Sequence, residues 1–183
     1  MAKNGFIGFG TEQSPCHITY FKHLTPGVRS SCIANAIHTY AGMELRLACA
    51  ELMRAQGHEE PAGRVKATGA FNLPSGLVFH TVGPVVQDGS PRERDRALLA
   101  SCYRSCLEEA SRRHLGTLAF CCISTGVFGF PQQEAARIAL DTVLHHLTHH
   151  DRELKVIFDV FLPADLRIYQ ELLDGARAAR RRA

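Results

Sequence analysis

A chain of 183 residues suits one domain with one core, and 45% apolar with 21% charged residues is an ordinary soluble mix. Much of the formal net charge of +3 sits in Arg177, Arg180, Arg181 and Arg182, so the remainder is near balance and composition gives no reason to expect a nucleic-acid partner. No stretch approaches the roughly 20 apolar residues that span a bilayer, and MAKNGFIGFG lacks a signal peptide's apolar core, so no membrane partner and a reducing cytoplasm are expected, with the seven cysteines as core residues or metal ligands rather than disulfides.

Residues 1–31 mix Gly, Ser, Thr, Pro and aromatics without a period and form an atypical N-terminal segment of loops, with one short strand at 17–21. Gly5, Gly8 and Gly10 have no strand before them and no helix after, so they are a weak phosphate-loop signal. From Ser31 the pattern turns helical: Ile33, Ile37 and Tyr40, then Leu45, Leu47 and Leu52, with Ser30 or Ser31 as N-cap, Gly42 as a joint and Gly57 as the stop. Residues 64–68 are β-like, and 76–82 (GLVFHTV) form a better strand between Pro74 and Gly83-Pro84. A helix over 92–114 follows, with Leu98, Leu99, Cys102, Cys106 and Leu107 on one face and Gly116 beyond its end.

Residues 117–123 (TLAFCCI) are apolar on both faces, which suits a strand in the middle of a covered sheet. A helix over 131–149 starts with Pro at its first position. Residues 155–161 (KVIFDVF) are another buried strand, and a last helix over 163–173 frays into a basic tail at 174–183. Alternating strands and helices imply a three-layer α/β fold, a central mixed sheet with helices on both faces.

Ligands of such sheets sit beyond the strands' carboxyl ends. There the chain reads Ser124-Thr125-Gly126-Val127-Phe128-Gly129-Phe130-Pro131. Two glycines allow a tight turn and close approach, and free N–H groups beside a helix N-terminus suit a diphosphate without any basic side chain. Phe128 and Phe130 could cover a ribose or base. The segment is neither a Walker loop nor a dinucleotide fingerprint.

The ordered motifs Asn35-Ala36-Ile37-His38, Ala41-Gly42, Asn72-Leu73-Pro74, His80-Thr81-Val82-Gly83-Pro84 and Ser124-Thr125-Gly126 with Gly129 and Pro131 resemble those of macrodomains. GHEEP, LASCYRSCLE and AFCCISTGVF further resemble the zinc-containing macrodomain hydrolases that remove ADP-ribose from modified proteins. The likeness spans residues 32–173. It implies a macrodomain fold, ADP-ribose or a mono-ADP-ribosylated protein as partner, zinc as cofactor, and a ligand site of Asn35, His38, Ser124, Thr125, Gly126, Val127, Phe128 and Gly129. The catalytic residues stay unassigned. Ala34 stands where the branch has an acid beside the scissile bond, and Cys32 alone carries over to the metal, with Ser30 at a ligand His position, or Val28 where a short insertion is allowed. Cys16, His17 and His23 are the other nearby donor types. The resemblance also implies that the fold's first strands are missing or replaced within residues 1–31. A frameshift or misplaced start would explain this, and the upstream coding DNA would then hold an Asn-Ala-Ala-Asn-like segment in another frame. The implied activity is hydrolysis of the bond between ADP-ribose and a protein side chain. The alternatives are an ADP-ribose-binding module that does not cleave, or a truncated remnant.

Other groupings read as structural. His145/His149 and His146/His150 are i,i+4 pairs able to chelate a metal, but a polar helix end is the plainer reading. Cys102 and Cys106 read as core, Cys121 and Cys122 as facing opposite sides of one strand, and His80 as a satisfied buried histidine.

Overall fold

The computed structural model describes residues 16–20 and 33–181. In chain order they form β1 (Cys16–Tyr20), α1 (Ile33–Ala41), α2 (Met43–Gln56), β2 (Val65–Gly69), β3 (Leu77–Thr81), α3 (Glu93–Arg112), β4 (Thr117–Phe120), α4 (Gln132–His149), β5 (Lys155–Phe158) and α5 (Pro163–Arg180). The strands make one mixed sheet in the order β2-β3-β1-β4-β5. Only β2 runs antiparallel, pairing Val65 with Thr81 and Gly69 with Leu77, while β1 pairs parallel with both β3 and β4. One strand from the irregular N-terminal stretch thus holds the sheet's centre.

The apolar runs explain the layers. In β3 every residue from Val78 to Thr81 is buried, so both faces are covered. Val78 packs with Ile37, Ala41, Leu45 and Cys49 of α1 and α2. Phe79 faces the opposite way, into a larger core with Leu99, Tyr103 and Leu107 of α3 and Ala136, Leu140 and Val143 of α4. The Phe120 ring lies 4.9 Å from Tyr103 and 6.2 Å from Phe158, and Tyr169 of α5 sits 4.9 Å from Phe158. Each such ring removed from water contributes on the order of 2 kcal/mol. Cys102 and Cys106 are fully buried on that side, as their helical spacing implies.

Three boundaries differ from the sequence reading. The strand over 117–123 stops at Phe120, because Ile123 turns its N–H to the Tyr103 hydroxyl at 3.4 Å and Ser124 goes left-handed at φ 65°. Cys121 and Cys122 therefore follow the strand rather than alternate within it. The strand over 155–161 stops at Phe158, and Phe161 is 91% exposed. The last helix continues past Leu173 to Arg180 instead of fraying, since the Ala- and Arg-rich stretch favours helix and Asp174 pairs with Arg177 at 3.6 Å.

Candidate functional site

The parallel strands direct their carboxyl ends to one edge of the sheet. The chain leaves β1 toward β3 and leaves β4 toward β5, so the connections diverge between β1 and β4. That divergence opens a crevice, the usual ligand position in such folds. The turn at 121–131 borders it, directly after β4 and before α4.

Backbone bonds shape the turn. Gly129 N–H donates to Gly126 O at 3.0 Å and Phe130 N–H to Ser124 O at 3.0 Å, while the Thr125 hydroxyl donates to Cys122 O at 3.2 Å. The N–H groups of Thr125, Gly126 and Val127 donate to no backbone carbonyl of the described residues. Gly126 and Val127 are exposed, and a Cβ on Gly126 would meet nothing within 4 Å. The first turn of α4, next in the chain, has no side-chain cap at Pro131. Aligned free N–H groups and an uncapped helix start together favour an anion.

A second loop, residues 82–91 after β3, braces the first. Val86 N–H donates to Phe128 O at 2.8 Å. Gly129 has φ 68°, and a Cβ there would come within 2.8 Å of Val86 O. Gly83 lies against Ile123 and the Ser124 hydroxyl, which is buried without a hydrogen-bond partner among the described residues. Gly129→Ala is therefore expected to destabilise the protein by about 1–3 kcal/mol, through left-handed strain and the clash with Val86. Urea unfolding checks this, and an unshifted midpoint would show that the two loops are not locked together.

The residues singled out in the sequence separate into two groups. Ser124 to Gly129 form one continuous turn. Phe128 and Phe130 are both buried, at 7% and 2% exposure, and Phe130 belongs to the main core. Asn35 lies exposed in the first turn of α1, and its carbonyl accepts from the Thr39 hydroxyl at 2.8 Å. His38 is half-buried and close enough to His80 for its charge to disfavour protonation there. Burial first, and then Arg46, hold the His38 imidazole below its ordinary pKa. Beneath it His80 Nε2 lies 2.8 Å from Thr68 Oγ1 and 3.9 Å from Cys49 Sγ. The charge-averse interior pushes His80 down to about 3, with His38 adding to the effect. Both histidines are neutral imidazoles at neutral pH.

Cys32, His23 and the Asn-Ala-Ala-Asn question lie outside the described residues, and Cys16 and His17 belong to the strand β1. Among the described residues no group of three His, Cys, Asp or Glu is arranged to hold a metal. Burial, then Asp165, drives the Cys122 thiol pKa upward, which argues against a thiolate nucleophile beside the turn.

Sequence reading missed Val86 and Phe161. Val86 looks like ordinary core in sequence, and its contact with the turn exists only through tertiary pairing. Phe161 was hidden by the strand-like pattern around it. The structure places it beyond β5, on the same edge as the turn. A free aromatic face there is suited to a base.

The sequence model of the Macro domain family matches residues 23–139. A protein-ADP-ribose hydrolase of Staphylococcus aureus strain Mu50 is 49% identical over 143 residues, which are 78% of this chain and 54% of the relative. A macro domain-containing protein of Ralstonia nicotianae is 43% identical over 145 residues, 79% of each chain. Among solved structures, a mutant Oceanobacillus iheyensis macrodomain with ADPR superposes with a TM-score of 0.81 at 38% identity, covering 91% of this chain and 88% of that one. A Trypanosoma brucei macrodomain in complex with ADP-ribose gives 0.69 at 32% identity, covering 79% and 57%. The chain spans about half the length of the curated hydrolases it matches.

Proposed function

This chain belongs to the Macro domain family, and on that premise we propose that it holds ADP-ribose in the crevice beside the 121–131 turn and releases it from mono-ADP-ribosylated proteins. The observation that carries the reading is the open turn itself. Thr125, Gly126 and Val127 offer backbone donors with no competing acceptor among the described residues, and the exposed Gly126 leaves room for a diphosphate. Phe161 offers a free ring for the base, and Asn35, exposed at the start of α1, is the residue that the family resemblance assigns to the ribose end. The ADP-ribose complexes of structural relatives and the hydrolase relatives support both halves of the proposal.

In the hydrolytic step water attacks the anomeric carbon of the proximal ribose. A carbon–oxygen bond to water forms as the bond to the protein side chain breaks, and the departing side chain takes up a proton. The turn contributes by fixing the diphosphate, so that the reacting ribose has few positions to sample. Zinc, which the resemblance implies, would use Cys32 as a ligand and would act as a Lewis acid. A cytoplasmic location is part of the same proposal. No helix among the described residues is long and apolar enough to cross a membrane.

One residue favours a second reading. Ala34, 8% exposed in the first turn of α1, has no carboxylate to orient water. A chain that holds ADP-ribose without cleaving the linkage would look the same at the turn. Calorimetry with ADP-ribose, combined with release from a mono-ADP-ribosylated protein with and without chelator, separates the readings. Binding with release is the expected result. Binding without release leaves the holding module, release indifferent to chelator removes zinc, and no binding by folded protein overturns both.

A further inference from the structure

The described cavity at the far end of α4 belongs to a different chemistry. It measures about 560 Å³ and is lined by Arg104 and Glu108 from α3, Asp141, His145 and His146 from α4, and His150. At 1.5 Å per residue, the stretch from Pro131 along α4 to Asp141 and His145 puts about 15–21 Å between this cavity and the phosphate turn. His145, His146 and His150 line it, and His149 stands beside His145 on α4. The His145 ring centroid lies 4.6 Å from that of His149 and 5.9 Å from that of His150, and His146 lies 5.3 Å from His150.

Those spacings are informative. Two imidazoles bound to one tetrahedral ion through nitrogens at about 2.0–2.1 Å have ring centres roughly 5 Å apart. Three ring pairs here bracket that separation. His145 and His149 are exposed and one helical turn apart, so small rotations aim both at a shared point. Asp141 stands one turn earlier on the same face, and Glu108 faces the cavity from α3, so two carboxylates add negative potential against the single guanidinium of Arg104. His146 differs from the others. It is 5% exposed, its Nε2 lies 3.1 Å from Ser111 Oγ, and Ser111 donates to Asp151 Oδ2 at 2.8 Å. That chain ties the last turn of α4 to α3 and gives the exposed imidazoles a rigid base.

We propose that His145 and His149 form a bidentate site for a divalent transition-metal cation at the α3–α4 groove, separate from the ADP-ribose crevice. Imidazole donors select the zinc, nickel and copper class over magnesium or calcium. No three donors among the described residues surround one point, so water completes the shell and the ion exchanges.

Titration of the full chain with Ni²⁺ tests this, read by calorimetry and by paramagnetic broadening of imidazole resonances. His145 and His149 are expected to broaden before His58 and His114, and His149→Ala to weaken affinity by about tenfold or more. His114→Ala serves as the control and is expected to bind as the parent does. Unchanged affinity in His149→Ala, or broadening led by histidines elsewhere, overturns the site. ADP-ribose affinity, measured on the same samples, reports separately on the crevice.

Discussion

Gly126→Glu is expected to weaken ADP-ribose binding by at least about 100-fold, with the fold intact. The magnitude follows from losing two charge-assisted hydrogen bonds, each worth about 1.5–3 kcal/mol, with about 1.4 kcal/mol per tenfold. The new carboxylate also repels a diphosphate. The position itself tolerates a side chain, since an added Cβ meets nothing within 4 Å and the residue is exposed. Stability should therefore move by no more than about 0.5 kcal/mol, as for other surface changes. Calorimetry with ADP-ribose and a melting curve on one sample check the two halves. Retained affinity would show that the turn is not the cradle. Gly129 gives the contrast: its added Cβ meets Val86 O at 2.8 Å, so loss of function there mixes with loss of stability.

Acid should destabilise the protein steeply below about pH 6.5, through His80. Its pKa falls to about 3 in the folded chain from an ordinary value near 6.5, chiefly because burial opposes the charge. The sign follows from proton counting. Below about pH 6.5 the unfolded chain binds a proton at this position and the folded chain does not, so stability drops as pH falls. The slope is about 1.4 kcal/mol per pH unit for one such group, or about 2 kcal/mol lost between about pH 6.5 and 5. His38 and His146, also shifted downward, act in the same direction. His80→Gln removes one titrating group, so its unfolding free energy should vary less steeply with pH by about one proton. The slope is the readout, because the substitution also disturbs Thr68 and Cys49 and lowers stability at every pH. Equal slopes in parent and variant would mean that His80 is protonated in the folded chain.

This histidine shows where sequence reading succeeds. His80 sits in GLVFHTV, an apolar run too dense for a half-solvated strand, so its burial was legible from its neighbours. Its partners were not, because Thr68 and Cys49 reach it from another strand and from α2. The same holds for the turn. Glycine placement and the following proline mark Ser124 to Pro131 as a strand-to-helix connection suited to phosphate. Whether a glycine there faces a ligand or a neighbouring loop is a tertiary matter. Gly126 and Gly129 look alike in sequence, yet one opens to solvent and the other fits against Val86.

Local pattern therefore determined the class of the fold, the helices and strands that carry it, and the segment that would cradle a diphosphate. These follow from burial periodicity and backbone freedom, which neighbouring residues impose. Tertiary structure alone decided that β1 enters between β3 and β4, that the 82–91 loop braces the turn, that Phe161 stands free at the ligand edge while Phe130 does not, and that three histidines meet Glu108 and Arg104 of α3 around one cavity. Each of these depends on the strand order and on contacts between segments far apart in the chain, which no local period encodes.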